Sequence, residues 1–472
     1  MGLGRVFLGR CFLFGLFIFP LLSFSSHQSY FNYNDGSAYT DPYRNQFRQG
    51  DNLEEVLIAG ISRATQSIDL AVHEFRLPLV AKALADKARS GVLVRVILEN
   101  DYNFALKDLD WDNVDDDYAG RRLKEYLKLV DVDHNGKLSQ WEFEERDAVY
   151  ILQKARIPII DDTEGGTKGS ALMHNKFMIL DQRDVLTGSA NYTLSDVHGD
   201  MGDVKTRGNA NNLVGFWDEP VVAKIFIEEF QFMWGDGPGG KKDSKFGLKK
   251  PHRDAKRITL SNGDFLNIQF SPTSQKMGYD HSSGGLISRT LGLAKKSVDA
   301  ALFVFSDQNL SKVLGEKFMF SPDLNIRALV ENRFAFNWYS ELLDMLGVEM
   351  LNDKCEAQEG NQPWAKPIYE GGTPGLASGD MLHHKFAVVD SYYTIFGSHN
   401  WTDSANEAND EALMVLESFE SGQAFSNEFA RQHSKAHYGV PKWVSDKIER
   451  QRKECSDKVF PGFGSVFSTL LK

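Results

Sequence analysis

Cysteine is scarce, with three in 472 residues. A disulfide framework is therefore excluded as the source of the fold. Cys11 lies in the N-terminal apolar run, which leaves Cys355 and Cys455, and an exported chain permits one bridge between them. There is no excess of basic residues either. The chain has 65 acidic and 53 basic residues, a net charge of -12, which argues against a dedicated nucleic-acid binder, although a local patch can act alone. Beyond the N-terminus no apolar stretch is long enough to cross a bilayer. What remains, 42% hydrophobic and 25% charged, is an ordinary globular composition, long enough for two or three domains with proper cores.

The N-terminus has the pattern of a targeting segment. Arg5 and Arg10 precede an apolar run from Cys11 to Phe24, and Ser23 and Ser25 are small residues placed like a cleavage site. Residues 1–25 read as a secretory signal peptide, which predicts a secreted or periplasmic protein. An uncleaved anchor is the alternative. Arg10 before Cys11 does not fit a lipoprotein site.

One pattern occurs twice. His174-Asn-Lys176-Phe-Met-Ile-Leu-Asp181 is followed after six residues by Gly188-Ser189-Ala-Asn191, and His383-His-Lys385-Phe-Ala-Val-Val-Asp390 by Gly397-Ser398-His-Asn400 at the same spacing. The repeat extends further. Ser67-Ile-Asp-Leu-Ala-Val-His-Glu-Phe75 mirrors Ser297-Val-Asp-Ala-Ala-Leu-Phe-Val-Phe305, and Val94–Asn100 mirrors Ile326–Asn332. These apolar runs predict buried strands, with helices over Leu77–Ser90 and Asn309–Phe318. Each half is then an α/β unit whose sheet needs cover on both faces. In a strand, residues i and i+2 share a face. His174 and Lys176 therefore point one way, as do His383 and Lys385, and the Gly-Ser turn brings Asn191 or Asn400 beside them. An imidazole, an ammonium and a carboxamide from each half suit a phosphate diester: Lys neutralises charge, Asn donates hydrogen bonds, and His supplies proton or nucleophile chemistry.

These residues resemble the HKD motifs of the phospholipase D superfamily, in its monomeric two-motif form, and the resemblance covers roughly residues 50–440. It implies two similar α-β-α sandwich domains with the active site at their interface. It also implies a covalent phosphohistidine intermediate and no metal in the chemistry. Carried onto this chain, one histidine attacks phosphorus while the other protonates the leaving alcohol and later activates water. Lys176, Lys385, Asn191 and Asn400 hold the phosphoryl oxygens, and Asp181 and Asp390 hold the motif's structure. His73, His198, His281 and His399 are left as structural or surface residues. The family's N-x-E, whose carboxylate orients the histidine, is present as Asn409-Asp-Glu411 but reads Asn209-Ala-Asn211 in the first half. Taking each to serve its own half, the amide leaves His174 neutral as nucleophile and the carboxylate keeps His383 protonated as general acid/base. Asp196 or Asp203 is an alternative support for His174.

The first half is longer between Asn100 and His174 than the second between Asn332 and His383, and the excess contains Asp131-Val-Asp133-His-Asn135-Gly136-Lys137-Leu-Ser139-Gln-Trp-Glu142. This fits the calcium loop of an EF-hand. Asp131, Asp133, Asn135, Ser139 and Glu142 offer side-chain oxygens and Lys137 its carbonyl, with helices over Gly120–Val130 and Ser139–Ala155. The expected role is structural, separate from the chemistry. Asp108-Leu-Asp110-Trp-Asp112 lacks the glycine and the closing glutamate and reads as a surface acidic run, or at best a degenerate partner. The predicted layout is a signal peptide at 1–25, a first domain at 45–235 with the insertion at about 118–155, a basic Gly-rich linker at 236–257, a second domain at 258–440 and a tail at 441–472. The linker cations are either solvated or a contact for anionic phosphates. Trp338, Trp364 and Trp401 are core residues or a membrane-facing set. The expectation is an exported, monomeric phospholipase D-like phosphodiesterase that cleaves phospholipids to phosphatidic acid, touching the membrane peripherally. The alternative is a nonspecific extracellular endonuclease.

Overall fold

The computed structural model describes residues 26–109, 118–166 and 171–459, so the signal segment lies outside the described residues. Two mixed sheets carry the fold. The first has seven strands, in the order His27–Phe31, Asn212–Phe216, Asp184–Gly188, Lys176–Leu180, Ser67–Val72, Leu93–Leu98 and Ile159–Asp161. The second repeats that order with Phe265–Phe270, Ala412–Glu417, Tyr393–Gly397, Lys385–Val389, Ser297–Leu302, Asn325–Val330 and Gly371–Thr373. It adds the edge strands Lys256–Thr259 and His437–Tyr438. This is the expected pair of α-β-α sandwich domains. The predicted helices form as Pro78–Arg89 and Gln308–Phe320.

Alternation along the motif strands decides the layering. Phe177 and Ile179 face a central core while Met178 and Leu180 face an outer one; Phe386 and Val388 against Ala387 and Val389 repeat the arrangement. Such period-2 burial on both faces is why these strands read as continuous apolar runs. The central core is filled by one helix from each half, Pro220–Trp234 and Phe419–His433. The halves interlock there: Phe31 of the first packs on Phe425 of the second at 4.9 Å between ring centroids, and Phe226 on Phe270 at 5.2 Å.

Three expectations change. The first sheet begins at His27, upstream of the boundary at 45, because that strand pairs along its length with Asn212–Phe216. The C-terminal segment is partly integral: in the helix Lys442–Val459, Val444 and Ile448 join the outer core and Cys455 is bridged to Cys355. The linker is not a solvated tether. Lys250 is buried on Glu229 and 2.5 Å from Asp410, Arg253 also pairs with Glu229, and Arg257 meets Glu417 at 2.9 Å. We call residues 245–257 the strap. Of the three tryptophans, Trp364 and Trp401 are buried and only Trp338 is exposed. Among the described residues no helix is long and apolar enough to cross a membrane.

Candidate active site

Each motif enters its strand through a short pairing with the other half. His174 N donates to Asp410 O at 2.9 Å and Asp410 N to Leu172 O at 2.8 Å; in mirror image, His383 N donates to Ala210 O at 3.0 Å and Ala210 N to Met381 O at 2.7 Å. The segments holding Glu411 and Asn211 therefore lie beside the opposite half's histidine. Glu411 Oε2 accepts from His174 Nδ1 at 2.7 Å, and Asn211 Oδ1 accepts from His383 Nδ1 at 3.0 Å. This corrects the expectation that each residue serves its own half. Sequence spacing cannot show it, because the exchange occurs across the interface.

Serines of the Gly-Ser turns aim these side chains. Ser398 Oγ donates to Glu411 at 2.6 Å and Ser189 Oγ to Asn211 Oδ1 at 2.8 Å. The Asn211 amide nitrogen is committed to the carbonyls of Asp196 and Asn209 at 3.1 and 3.2 Å. Its oxygen must accept, which fixes the proton of His383 on Nδ1 and leaves Nε2 for chemistry. Asp196 lies 3.9 Å from His383 Nδ1, not beside His174 as the alternative had it, and Asp203 sits in a separate turn.

Lys176 and Lys385 are both buried, and each Nζ donates to the carbonyl of its own motif histidine at 2.8 Å. Burial pushes Lys176 down to about 8. Burial and the Lys176 charge hold Lys385 well below the usual ammonium range. Burial, with both lysines nearby, also holds His174 and His383 well below the imidazole range, while burial raises Glu411. The carboxamide oxygens of Asn191 and Asn400 are buried without partners. Two buried ammonium groups beside two imidazoles disfavour one another's charge, and an anion among them would offset that repulsion.

Asp181 and Asp390 stand apart. Asp181 accepts from the backbone N–H groups of Thr65, Gln66 and Ser67, and Asp390 from those of Lys295, Lys296 and Ser297. Both take positive φ, at 51° and 54°, in the left-handed conformation that Asp tolerates in hairpin turns. Each ties the end of the motif strand to the start of its neighbour, a structural position.

The histidines face a cavity of about 480 Å³. Its walls include residues not foreseen. His73, expected to be structural, stands 4.8 Å from the His174 ring with Nδ1 unpartnered, and Phe303 stands at the same distance from His383. The signal was present in the repeat, where His73 aligns with Phe303. His198 is structural as expected, held by Glu54 and Tyr39 at 2.9 and 2.8 Å. His399 is buried on Asn406, and His281 is exposed.

A second wall comes from the insertion. Arg122, Leu123 and Tyr126 of the helix Tyr118–Val130 line the cavity. Arg76, 3% exposed, lies over Phe104 and Tyr126 at 4.3 and 5.0 Å and joins this helix to the site. At the helix's end the loop Asp131–Glu142 brings carboxylate oxygens of Asp131, Asp133 and Glu142 within 4.8 Å of one another. Gly136 turns at φ 75° with nothing near a Cβ. Asn135 Oδ1 accepts from Lys137 N at 2.7 Å, and Ser139 caps the helix Gln140–Arg146 in a capping box with Glu142. Hard oxygen donors round a Gly turn fit calcium. The predicted helix Ser139–Ala155 is broken at Asp147, whose side chain caps the following helix Ala148–Lys154. Asp108 ends a short turn, while Asp110 and Asp112 lie outside the described residues.

The chain belongs to the family described as "Cardiolipin synthase, PLD-like domain", which it matches over residues 57–234 and 287–433. Mitochondrial cardiolipin hydrolase of Xenopus laevis is 26% identical over 154 residues, covering 32% of this chain and 61% of that protein. The Homo sapiens protein of the same name is 27% identical over 164 residues, covering 34% and 55%. The chain thus spans less than two thirds of the length of these curated relatives. Among solved structures, the phosphatidylserine synthase of Haemophilus influenzae Rd KW20 aligns over 86% of this chain and 92% of that one, at TM-score 0.48 and 10% identity. Nuc from Salmonella typhimurium, a phospholipase D family member, aligns over 37% and 98%, at TM-score 0.28 and 15% identity.

Proposed function

We propose that this protein is an exported phospholipase D-type phosphodiesterase, hydrolysing phospholipids to phosphatidic acid and free headgroup. The observation that carries this is the meeting of His174 and His383 in one cavity, backed by two buried lysines. The anionic diester, seated between the lysines, favours the imidazolium of His383, which takes up a second proton on Nε2 from solvent. His174 Nε2 then attacks phosphorus, forming a P–N bond as the headgroup P–O bond breaks, and His383 gives its Nε2 proton to the leaving alkoxide. His383 then takes a proton from water, whose oxygen displaces His174 and releases phosphatidic acid. The nucleophile assignment stays with His174, but for a new reason. Glu411 balances the positive charge that phosphorylation places on that imidazole, whereas the amide behind His383 fixes its tautomer without weakening it as an acid. Lys176, Lys385, Asn191 and Asn400 neutralise and hold the phosphoryl oxygens.

Lipid is favoured over polynucleotide. Phe104, Leu123, Phe303 and Met381 make much of the cavity wall apolar, and the strap cations Lys250, Arg253, Lys256 and Arg257 are tied to carboxylates rather than forming a phosphate track. The relatives named as cardiolipin hydrolases point to the same substrate class. Export rests on residues 1–25 and is compatible with the Cys355–Cys455 bridge. Both motifs lie in one chain, so a monomer suffices. Calcium at Asp131–Glu142 would be held by Asp131, Asp133, Asn135, Ser139, Glu142 and the Lys137 carbonyl. It would fix the helix that walls the cavity and supply no step of the reaction.

The test is parallel turnover of phosphatidylcholine vesicles, cardiolipin vesicles and plasmid DNA, with acid-quench mapping of the trapped adduct. Phosphatidic acid or its cardiolipin counterpart should form with label on His174. Turnover of DNA alone would overturn the substrate, and label on His383 the assignment.

A further inference from the structure

The strap carries a cluster remote from the catalytic cavity. His252 Nε2 lies 3.2 Å and His281 Nδ1 2.9 Å from the same oxygen, Oδ1 of Asp254. The three ligand atoms lie within 4.8 Å of one another. Two imidazoles converging on one carboxylate oxygen are spaced much like neighbouring ligands of a tetrahedral zinc, whose bonds of about 2.0–2.2 Å place adjacent donors roughly 3.3 Å apart.

An independent feature lies in the same place. A cavity of about 320 Å³ beside the cluster is lined by Asp254, His281, Gln269, Asp280 and Arg289. Gln269 is 2% exposed and its Nε2 donates to His281 O at 2.6 Å, while its Oε1 is buried without a partner. A buried acceptor with no donor is costly. Oε1 is sealed from water in this conformation, so a rotation of the Gln269 amide toward the cavity would let water on a cation held by the three side chains supply that donor. Arg289, which also lines the cavity, donates to the carbonyl of Asp280.

We propose that His252, Asp254 and His281 form a binding site for a divalent cation of the zinc class, completed by water from the adjoining cavity. Two imidazoles and a carboxylate, with no thiolate, are borderline ligands suited to zinc rather than to calcium or magnesium. The site clasps the strap to the segment that leads into the helix Ser283–Gly292. The strap also holds Asp410 through Lys250. The cation would thus brace the region behind the cross-half pairing without entering the cleft.

The experiment uses full-length mature protein without a polyhistidine tag, stripped with EDTA and returned to calcium-containing buffer. A His174→Ala/His383→Ala background removes the cleft imidazoles. Zinc chloride alone is titrated by calorimetry, and melting is followed in parallel. One equivalent should bind with a dissociation constant of about 10 µM or tighter, and zinc should raise the melting temperature by about 2 °C or more. His252→Ala and His281→Ala should each weaken binding by at least about tenfold. Asp254→Asn, a near-isosteric change, should do the same if either histidine variant folds poorly. Absence of saturable binding at about 100 µM zinc, or unchanged affinity in these variants, would overturn the site.

Discussion

A carboxylate and a carboxamide occupy equivalent places in the two halves, and each serves the imidazole of the other. Glu411→Gln should therefore cripple His174, although Glu411 lies far along the chain beside His383 in the repeat. Loss of a carboxylate that orients and compensates an imidazole has a large effect, and a fall of at least about 100-fold in single-turnover rate is expected. If His174 keeps its rate and the acid step slows instead, the crossed pairing does not operate in catalysis. Lys176 gives a second prediction. Burial brings it down to about 8, so it is cationic below that pH and loses its charge above it. kcat/KM should fall on an alkaline limb near pH 8, well below the ordinary lysine range. A profile flat to pH 10 would remove Lys176 as the phosphoryl cation. At this scale the motif residues were legible because chemistry restricts their type and spacing. The partners were not, since spacing within one half cannot tell which half's imidazole Glu411 meets. His73 was readable only by setting it against Phe303.

The elements carry the asymmetry that the motifs lack. Strands and main helices were legible from apolar runs because both faces of each sheet are buried. The insertion's first helix and loop were legible too, but not its place on the cavity wall, and the strap was not, since a run of cations looks solvated until Glu229, Asp410 and Glu417 are seen to meet it. The insertion's role changes accordingly. Leu129 and Val130 at the end of its first helix pack with Leu106 and with Leu194, which follows the Asn191 turn. Tyr126 donates to Asp147 at 3.2 Å and accepts from Ala148 N at 2.8 Å. Loss of calcium should loosen the wall that meets substrate rather than the groups that react. Chelation, or Glu142→Gln, should raise KM for phospholipid several-fold more than it lowers kcat, and should also lower the melting temperature. Steady-state kinetics on a soluble short-chain phospholipid distinguishes these effects. Unchanged KM with lost turnover in folded protein would place the ion in the chemistry. Unchanged KM, kcat and melting temperature would leave the loop without a calcium function.

In the whole molecule the two halves are separate in sequence but not in structure. Phe31 of the first half sits on Phe425 of the second, Phe270 of the second on Phe226 of the first, and each histidine is oriented across the boundary. A buried aromatic is worth about 1.5–3 kcal/mol relative to exposure, so a shared layer of this kind should hold without a covalent link. The connection at Pro238–Lys242 is exposed and precedes the strap. A protease site inserted between Gly239 and Gly240 should therefore cut the chain without separating it. The nicked protein should elute as one species in native buffer and keep most of its turnover, because the strap, the cross-half pairings and the central helices all lie outside the cut. Neither fragment should be active after separation in denaturant and refolding alone, since His174 would lack Glu411 and His383 would lack Asn211. Turnover should return on mixing. An isolated fragment that cleaves diester as a monomer would show that one half can complete a site from its own residues. A nicked chain that falls apart would show that the connection, rather than the shared core, holds the site together.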